Sequence, residues 1–250
     1  VWATSTAWNE ASVTAIQQKV LGHLYGSTAL SVTRTTTATV EQGDCTAGQC
    51  VWAVPAGVAR VSSNGLLVES QRTNYVQQSG TISTGTAATS PWSLSNATVA
   101  TVAGDPAGGS WAEVTSTTTA GYLVQSPTGL TSSTQRTVSI WARKPSGTGA
   151  MSVVMYAAGG WASCACVRSD GGSCTADIPA ADGTWNGTGC RIRITDLGTT
   201  PIRVSSSGTQ AAATTVSGLY LYPGQDAVST GTTRFSMAQL EVGSYPTSYI

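Results

Sequence analysis

The chain has 250 residues, and its 12 basic and 12 acidic side chains give a formal net charge of zero. Only 10% of the residues are charged, against about 25% in typical globular proteins. The basic side chains are scattered, which excludes the positive stripe of a protein that tracks nucleic-acid phosphates. The sequence also lacks the run of about 18 apolar residues that a membrane-spanning helix needs.

The first residues predict a single short helix. Residues 8–25 repeat apolar side chains at a helical period, with Asn9 placed as an N-cap and Gly26 as a C-cap. The chain begins at Val1 without a charged and apolar leader, so we expect a processed N-terminus or a piece of a longer polypeptide.

Short β-like runs follow the helix. Gly, Pro, Ser and Asp separate them, and their spacing is typical of an all-β sandwich or jelly roll. The predicted strands cover residues 30–40, 49–54, 65–69, 97–102, 111–115, 121–125, 137–143, 150–157, 191–195, 201–205, 217–222 and 233–242.

Six cysteines indicate disulfide bonds and, with them, an oxidising compartment. Two pairs bracket short turns, and the two remaining cysteines are left to pair with each other. A zinc site is the alternative, because three of the cysteines cluster, although the usual paired C-x2-4-C spacing is missing. The predicted bridges are Cys45–Cys50, Cys166–Cys174 and Cys164–Cys190.

Several segments resemble motifs of phage tail and prophage-encoded surface proteins. The stretch from Gly65 to Tyr75 reads GLLVESQRTNY and resembles the G-L-L-[IV]-E-x-x-R-T-N opening of that group. The chain closes on AQLEVGSYPTSYI, which is similar to the group's A-Q-L-E-x-G-x-x-x-T-S-Y-I ending. Residues 33–40, 91–93 and 137–144 match further elements in the same order.

The resemblance implies a fold similar to the jelly rolls of carbohydrate-binding modules and an extracellular, cell-surface or virion-surface location. We therefore expect an all-β chain, a jelly-roll-like β-sandwich with a short N-terminal helix. Residues 1–64 form the predicted helix and β extension, and residues 65–250 form the predicted sandwich. The expected partners are polysaccharides or cell-surface glycans.

Jelly-roll binding modules often carry a structural calcium ion between their first and last strands. By that analogy Glu69, Asn74 and Glu241 are the candidate oxygen ligands, and calcium is the only cofactor expected. The alternative is that Glu69 pairs with Arg72 while Glu241 pairs with Arg234 or a backbone donor.

The sequence gives little support for catalysis. A Ser-His-acid triad needs an imidazole, and the single histidine, His23, lies between apolar residues of the predicted helix. Among the 12 acidic residues, no pair is evidently placed for glycoside hydrolysis. We therefore predict that the chain is not an enzyme.

Aromatic side chains give a stronger signal, because sugar rings stack on Trp and Tyr while polar neighbours bind the hydroxyl groups. Alternation in residues 137–143 predicts that Trp141 and Arg143 face away from the core. Tyr220 and Tyr222 alternate with leucines in the same way. Because the chain has one Phe, Trp and Tyr are also needed to fill the core. The candidate carbohydrate-binding residues are Trp141, Arg143, Tyr156, Trp161 and Trp185.

These patterns favour a non-catalytic glycan-binding or adhesion module of a surface or tail-like protein. The alternative is a structural subunit of an extracellular fibre, sheath or virion coat, since an almost uncharged surface suits packing between identical subunits. In that case we expect self-association into a homo-oligomer or fibre.

Overall fold

The computed structural model describes the backbone of residues 38–41, 51–54, 61–62 and 65–66 and most of the chain from residue 72 to residue 248. Within that last stretch, it leaves out residues 81, 83–90, 131, 179–188, 215 and 227. The predicted helix, Cys45, Cys50, Glu69 and Trp185 all lie outside the described residues. The described part is all-β and contains no helix that could cross a membrane.

The strands that the structure describes are numbered in chain order. They are β1 (Ala38–Glu41), β2 (Val51–Val54), β3 (Val61–Ser62), β4 (Gly65–Leu66), β5 (Trp92–Ser95), β6 (Ala97–Ala103), β7 (Ser110–Ser116), β8 (Tyr122–Gln125), β9 (Ser133–Arg143), β10 (Gly149–Ala157), β11 (Trp161–Arg168), β12 (Thr175–Asp177), β13 (Gly189–Leu197), β14 (Ile202–Thr214), β15 (Val216–Tyr222) and β16 (Thr232–Val242).

The strands from β5 onward form two antiparallel six-stranded sheets. Sheet 1 has the order β12-β13-β10-β15-β8-β5, and sheet 2 has the order β11-β14-β9-β16-β7-β6. Along the chain from β7 to β12, successive strands alternate between sheet 2 and sheet 1. From β13 to β16 they alternate again, beginning in sheet 1. Two small antiparallel pairs, β1-β2 and β3-β4, precede them. The predicted boundary between residues 64 and 65 stays a prediction.

Both sheets contribute to one continuous apolar core. Side chains alternate along a strand, so every second residue of each central strand points to the same face. Met155 and Leu219 of sheet 1 and Val138 and Phe235 of sheet 2 are buried in this core. Each such side chain contributes about 1.5–3 kcal/mol when fully buried. The predicted strands between residues 97 and 242 are confirmed, whereas β3, β5, β11 and β12 were not predicted as strands.

Two disulfides fasten the sheets together. Cys164 of β11 is bonded to Cys190 of β13 with an S–S distance of 2.01 Å. Cys166 of β11 is bonded to Cys174, which directly precedes β12, with an S–S distance of 2.21 Å. Both pairings are the predicted ones, and each links an edge strand of sheet 2 to sheet 1.

The two longest matched motifs meet at a β-bulge in β16. The register with β9 shifts between Ser236 and Gln239, and Met237 adopts a positive φ of 49°. Asn74 binds the strand just after the bulge: its Oδ1 accepts the Leu240 N–H at 3.0 Å and its Nδ2 donates to the Ala238 carbonyl at 3.1 Å. The R-T-N motif therefore holds the last strand in its bulged register.

Arg72 of the same motif covers the turn after β16. Its guanidinium lies 4.9 Å from the centre of the Tyr245 ring and directly against Gly243. Gly243 has a φ of 137°, and a Cβ there would overlap the Arg72 side chain. Only glycine fits both the backbone conformation and the close approach.

Candidate functional site

Alternation brings four tyrosines to the outer face of sheet 1. On β15, Leu219 and Leu221 point into the core while Tyr220 and Tyr222 point outward. The neighbouring strands β10 and β8 add Tyr156 and Tyr122, and the four rings pack around the buried Val154. We call Tyr122, Tyr156, Tyr220 and Tyr222 the tyrosine face.

Three rings of the tyrosine face pack edge to face. The Tyr122 centroid lies 5.1 Å from that of Tyr220 and 5.3 Å from that of Tyr222, at interplanar angles of 73° and 62°. Pairs of this geometry contribute about 0.5–1.5 kcal/mol beyond their buried area. The Tyr220 ring also covers Gly218, where a Cβ would lie 2.5 Å from Tyr220 Cε2. Gly218 pairs with Tyr156 across the strands, so the glycine makes room for Tyr220 to approach Tyr156.

Exposure differs across the tyrosine face. Tyr222 is 3% exposed, and burial, together with the nearby Asp226, raises its pKa above the usual range. Tyr122, Tyr156 and Tyr220 remain partly exposed. Burial, with Tyr122 and Tyr156 close by, also raises the pKa of Tyr220. Tyr220 and Tyr222 therefore stay neutral in ordinary buffers, and the three partly exposed rings present apolar edges and faces to the outside.

A charged cluster lies on the same face, centred on Arg191. Its Nε and Nη2 donate to the two carboxylate oxygens of Asp177 at 3.1 and 2.6 Å, and its Nη1 donates to Asp226 at 2.7 Å. Burial alone lowers the pKa of Arg191, but the hydrogen bonds to Asp226 and Asp177 raise it overall. Such bidentate charged pairs hold their geometry firmly.

The cluster is close to the tyrosines and partly open to solvent. Arg191 and Tyr220 both pair with Val154 from opposite sides, so the two residues are about 10 Å apart across the sheet. Asp177 and Arg193, joined at 3.2 Å, have 34% and 25% of their side chains exposed. Carboxylate acceptors and guanidinium donors in fixed positions thus lie next to apolar rings. Such rings can stack on a sugar ring while the polar groups bind its hydroxyl groups.

The predicted binding residues do not come together in one site. Trp141 does face away from the core, as alternation predicts, but the expectation that it is exposed is wrong, because it is only 2% exposed. Trp111 and Met237 pack around it on the outer face of sheet 2. Arg143 lies 5.3 Å from the Trp111 ring centre on that same face. Burial, with Arg234 nearby, lowers the pKa of Arg143.

The other candidates have separate locations. Trp161 is 6% exposed and belongs to the core between the sheets, where its ring lies against Gly208. Tyr156 belongs to the tyrosine face. Trp185 lies outside the described residues, four positions before Gly189. A role in carbohydrate binding stays a prediction for these residues, with Tyr156 the one that the structure brings into a candidate site.

Two of the three predicted calcium ligands, Asn74 and Glu241, make other contacts in the part of the chain that the structure describes. The Glu241 carboxylate accepts hydrogen bonds from the backbone N–H of Thr247 at 2.9 Å and from its hydroxyl, so a backbone donor does bind Glu241, while Arg234 pairs with Glu113. The Asn74 oxygen accepts two backbone N–H groups. Both lone pairs of the Asn74 amide oxygen are therefore occupied by N–H groups. Among the described residues no cluster of three His, Cys, Asp or Glu side chains is suited to a metal, and calcium stays a prediction.

Sequence reasoning missed several residues of the site. Tyr122 alternates with the core residue Leu123, and Arg191 alternates with the core residue Ile192, so the pattern of each strand carries a signal. The partnership of Arg191 with Asp226 has no such signal, because the two are 35 residues apart and Asp226 lies in a loop.

Comparisons with solved structures give only weak likenesses, of which one is described here. No family model and no curated protein matches the chain. The chain is similar to the enzymatically active domain of tailspike protein 4 of bacteriophage CBA120, with 16% sequence identity and a TM-score of 0.23. The alignment covers 64% of this chain and 21% of the tailspike chain, so this chain spans about a fifth of the protein it matches. At this TM-score the likeness carries no argument about the fold of this chain.

The same comparison corrects one expectation. The chain was predicted not to be an enzyme, whereas the tailspike domain is described as enzymatically active. The prediction that excluded an enzymatic role is contradicted by this finding and is withdrawn.

Proposed function

We propose that this protein is a glycan-binding module of a phage-tail-like or cell-surface protein and that the tyrosine face is its binding site. The observation that carries the proposal is the group of three partly exposed tyrosines, packed around Val154 beside the Arg191 cluster. Saccharides bind such faces because their C–H surfaces stack on aromatic rings while fixed polar groups bind their hydroxyls.

The strand order supports a jelly-roll sandwich as the proposed fold. Four strands of sheet 2 lie in the order β7-β16-β9-β14 and four of sheet 1 in the order β8-β15-β10-β13. This is the arrangement that two Greek keys give to the eight strands of a jelly roll. The remaining strands β5, β6, β11 and β12 extend the edges of the two sheets.

An extracellular or virion-surface location is part of the proposal. Its support is the pair of disulfides between β11 and sheet 1, because structural disulfides persist in oxidising compartments and are rare in the cytosol.

A glycan array tests the binding function directly. We expect the full chain to bind at least one polysaccharide or cell-surface glycan, and Tyr220→Ala to weaken that binding about ten-fold or more. Tyr245→Ala is the matched control, because Tyr245 is 49% exposed and lies on the turn after β16. Absence of binding to every glycan, or equal loss in the two variants, would count against the proposal.

A structural role in a fibre, sheath or virion coat is the second candidate function. Its support is the nearly uncharged chain, with 10% charged residues and a net charge of zero, which is suited to contacts between copies. Electron microscopy of native material separates the two functions, since ordered polymers or lattices are expected only of a structural subunit.

A further inference from the structure

The strand β6 is an open edge of sheet 2. Its seven residues, Ala97–Ala103, pair with β7 in an unbroken antiparallel register. At alternate positions of such a strand, the N–H and C=O groups point away from the neighbouring strand. In the part of the chain that the structure describes, no strand and no backbone hydrogen bond from a loop covers that outer edge.

The other edges of sheets 1 and 2 carry features that discourage pairing with another chain. Natural proteins protect edges with short strands, bulges, prolines or charged residues. In sheet 1 the edge strands β5 and β12 have four and three residues. At the opposite edge of sheet 2, β11 contains a bulge between Trp161 and Ser163 and ends on Arg168. In contrast, β6 reads ATVATVA and has no charge, proline or bulge.

The sequence of β6 is complementary to itself. When two copies pair antiparallel about Ala100, Thr98 faces Val102 of the second copy, and Val99 faces Thr101 of the second copy. Threonine and valine both favour strands, and opposed side chains of this kind stabilise a sheet. No charge is opposed anywhere along the strand, and a net charge of zero avoids long-range repulsion between copies.

We propose that two copies of this chain associate through β6, antiparallel about Ala100, into a two-fold symmetric dimer. The two copies of sheet 2 then join into one continuous sheet, with the same strand serving on both sides of the interface. The dimer forms independently of the tyrosine face, which lies on the other sheet.

The mass of the full chain in solution tests this dimer. Size-exclusion chromatography with light scattering is expected to show twice the chain mass of 25.4 kDa, falling toward the monomer on dilution. Ala100→Lys sets two ammonium groups opposite each other and is expected to raise the dimer dissociation constant about five-fold or more. Ala165→Lys, at an exposed alanine of the edge strand β11, is the matched control and is expected to leave the constant unchanged.

A charge-swapped mixture fixes the register. Ala100→Lys mixed with Ala100→Glu is expected to restore the dimer as a heterodimer, because the pairing sets residue 100 opposite residue 100 of the second copy. Circular dichroism confirms that each variant is folded. A wild-type monomer at all concentrations, equal weakening by Ala165→Lys, or a mixture without heterodimers would overturn the proposal.

Discussion

On the outer face of sheet 2, Trp141 is 2% exposed, whereas on the outer face of sheet 1 Tyr122, Tyr156 and Tyr220 stay partly exposed. All four residues point away from the core by the same strand alternation. The difference arises from their neighbours, since Trp111 and Met237 enclose Trp141 while the tyrosines pack mainly on one another. Alternation thus determines the face of a side chain, and the neighbours on that face determine whether a ligand can reach it.

The largest expected effect is on stability, at Trp141. Trp141→Ala removes a fully enclosed ring and is expected to cost about 3–5 kcal/mol in the free energy of unfolding. Tyr156→Ala, at a partly exposed ring, is expected to cost less than about 2 kcal/mol. Urea denaturation of both variants checks the contrast. Equal costs would contradict the assignment of Trp141 to a buried outer cluster.

The two disulfides provide the next comparison, because both link β11 to sheet 1 but close loops of different length. The bonded residues are 26 apart for Cys164–Cys190 and 8 apart for Cys166–Cys174. Loop-closure entropy then predicts losses of about 3.5 and about 2.5 kcal/mol when each pair is replaced by alanine. Guanidinium denaturation of the two double variants measures the order, and a larger loss for the shorter loop would argue against the entropic account.

A smaller effect is expected at Lys144, which connects the end of β9 to sheet 1. Its ammonium group donates to neutral oxygens of Ala150, Pro223, Thr232 and Thr233. Burial lowers its pKa from 10.5 to about 8. Between these values the unfolded chain binds more protons than the folded one, so stability rises with pH, by at most about 1.4 kcal/mol per pH unit.

Thermal unfolding from pH 7.5 to pH 9.5 measures this slope, with Lys144→Met as the variant of similar size. The slope is expected to flatten in the variant. Above pH 10 the raised pKa of Tyr222 acts in the opposite direction, because the unfolded tyrosine loses its proton first. An unchanged slope in Lys144→Met would show that another group controls the pH response.

The smallest expected change in stability is at Gly218. In Gly218→Ala the added Cβ lies 2.5 Å from Tyr220 Cε2, so the ring must turn away from Tyr156. Since the ring is the movable end of a side chain, the variant is expected to lose about 1 kcal/mol of stability but most of its glycan binding. Calorimetric titration with an array-positive glycan checks this, and full binding would mean that the position of Tyr220 does not matter.

Much of the fold was predictable from local patterns. The alternation of Leu219 and Leu221 with Tyr220 and Tyr222 gave the correct faces of β15, and short loops gave the pairing of Cys166 with Cys174. These features depend on neighbouring residues in the chain.

The exposure of Trp141 and the composition of the candidate site were harder to predict, because both depend on contacts between distant segments. The enclosure of Trp141 by Met237 requires the bulge in β16, where the register with β9 shifts. The salt bridge between Arg191 and Asp226 joins a strand to a loop 35 residues away. Neither contact leaves a periodic signal in the sequence.

The most direct test of the central claim is solution NMR of protein with 13C-labelled tyrosine rings, titrated with a glycan selected on the array. Tyrosine-to-phenylalanine variants assign the signals of the eight tyrosines. We expect the ring signals of Tyr122, Tyr156 and Tyr220 to shift with saturation while that of Tyr245 stays in place. If the glycan binds but the ring signals of these three tyrosines do not shift, the tyrosine face is not the binding site.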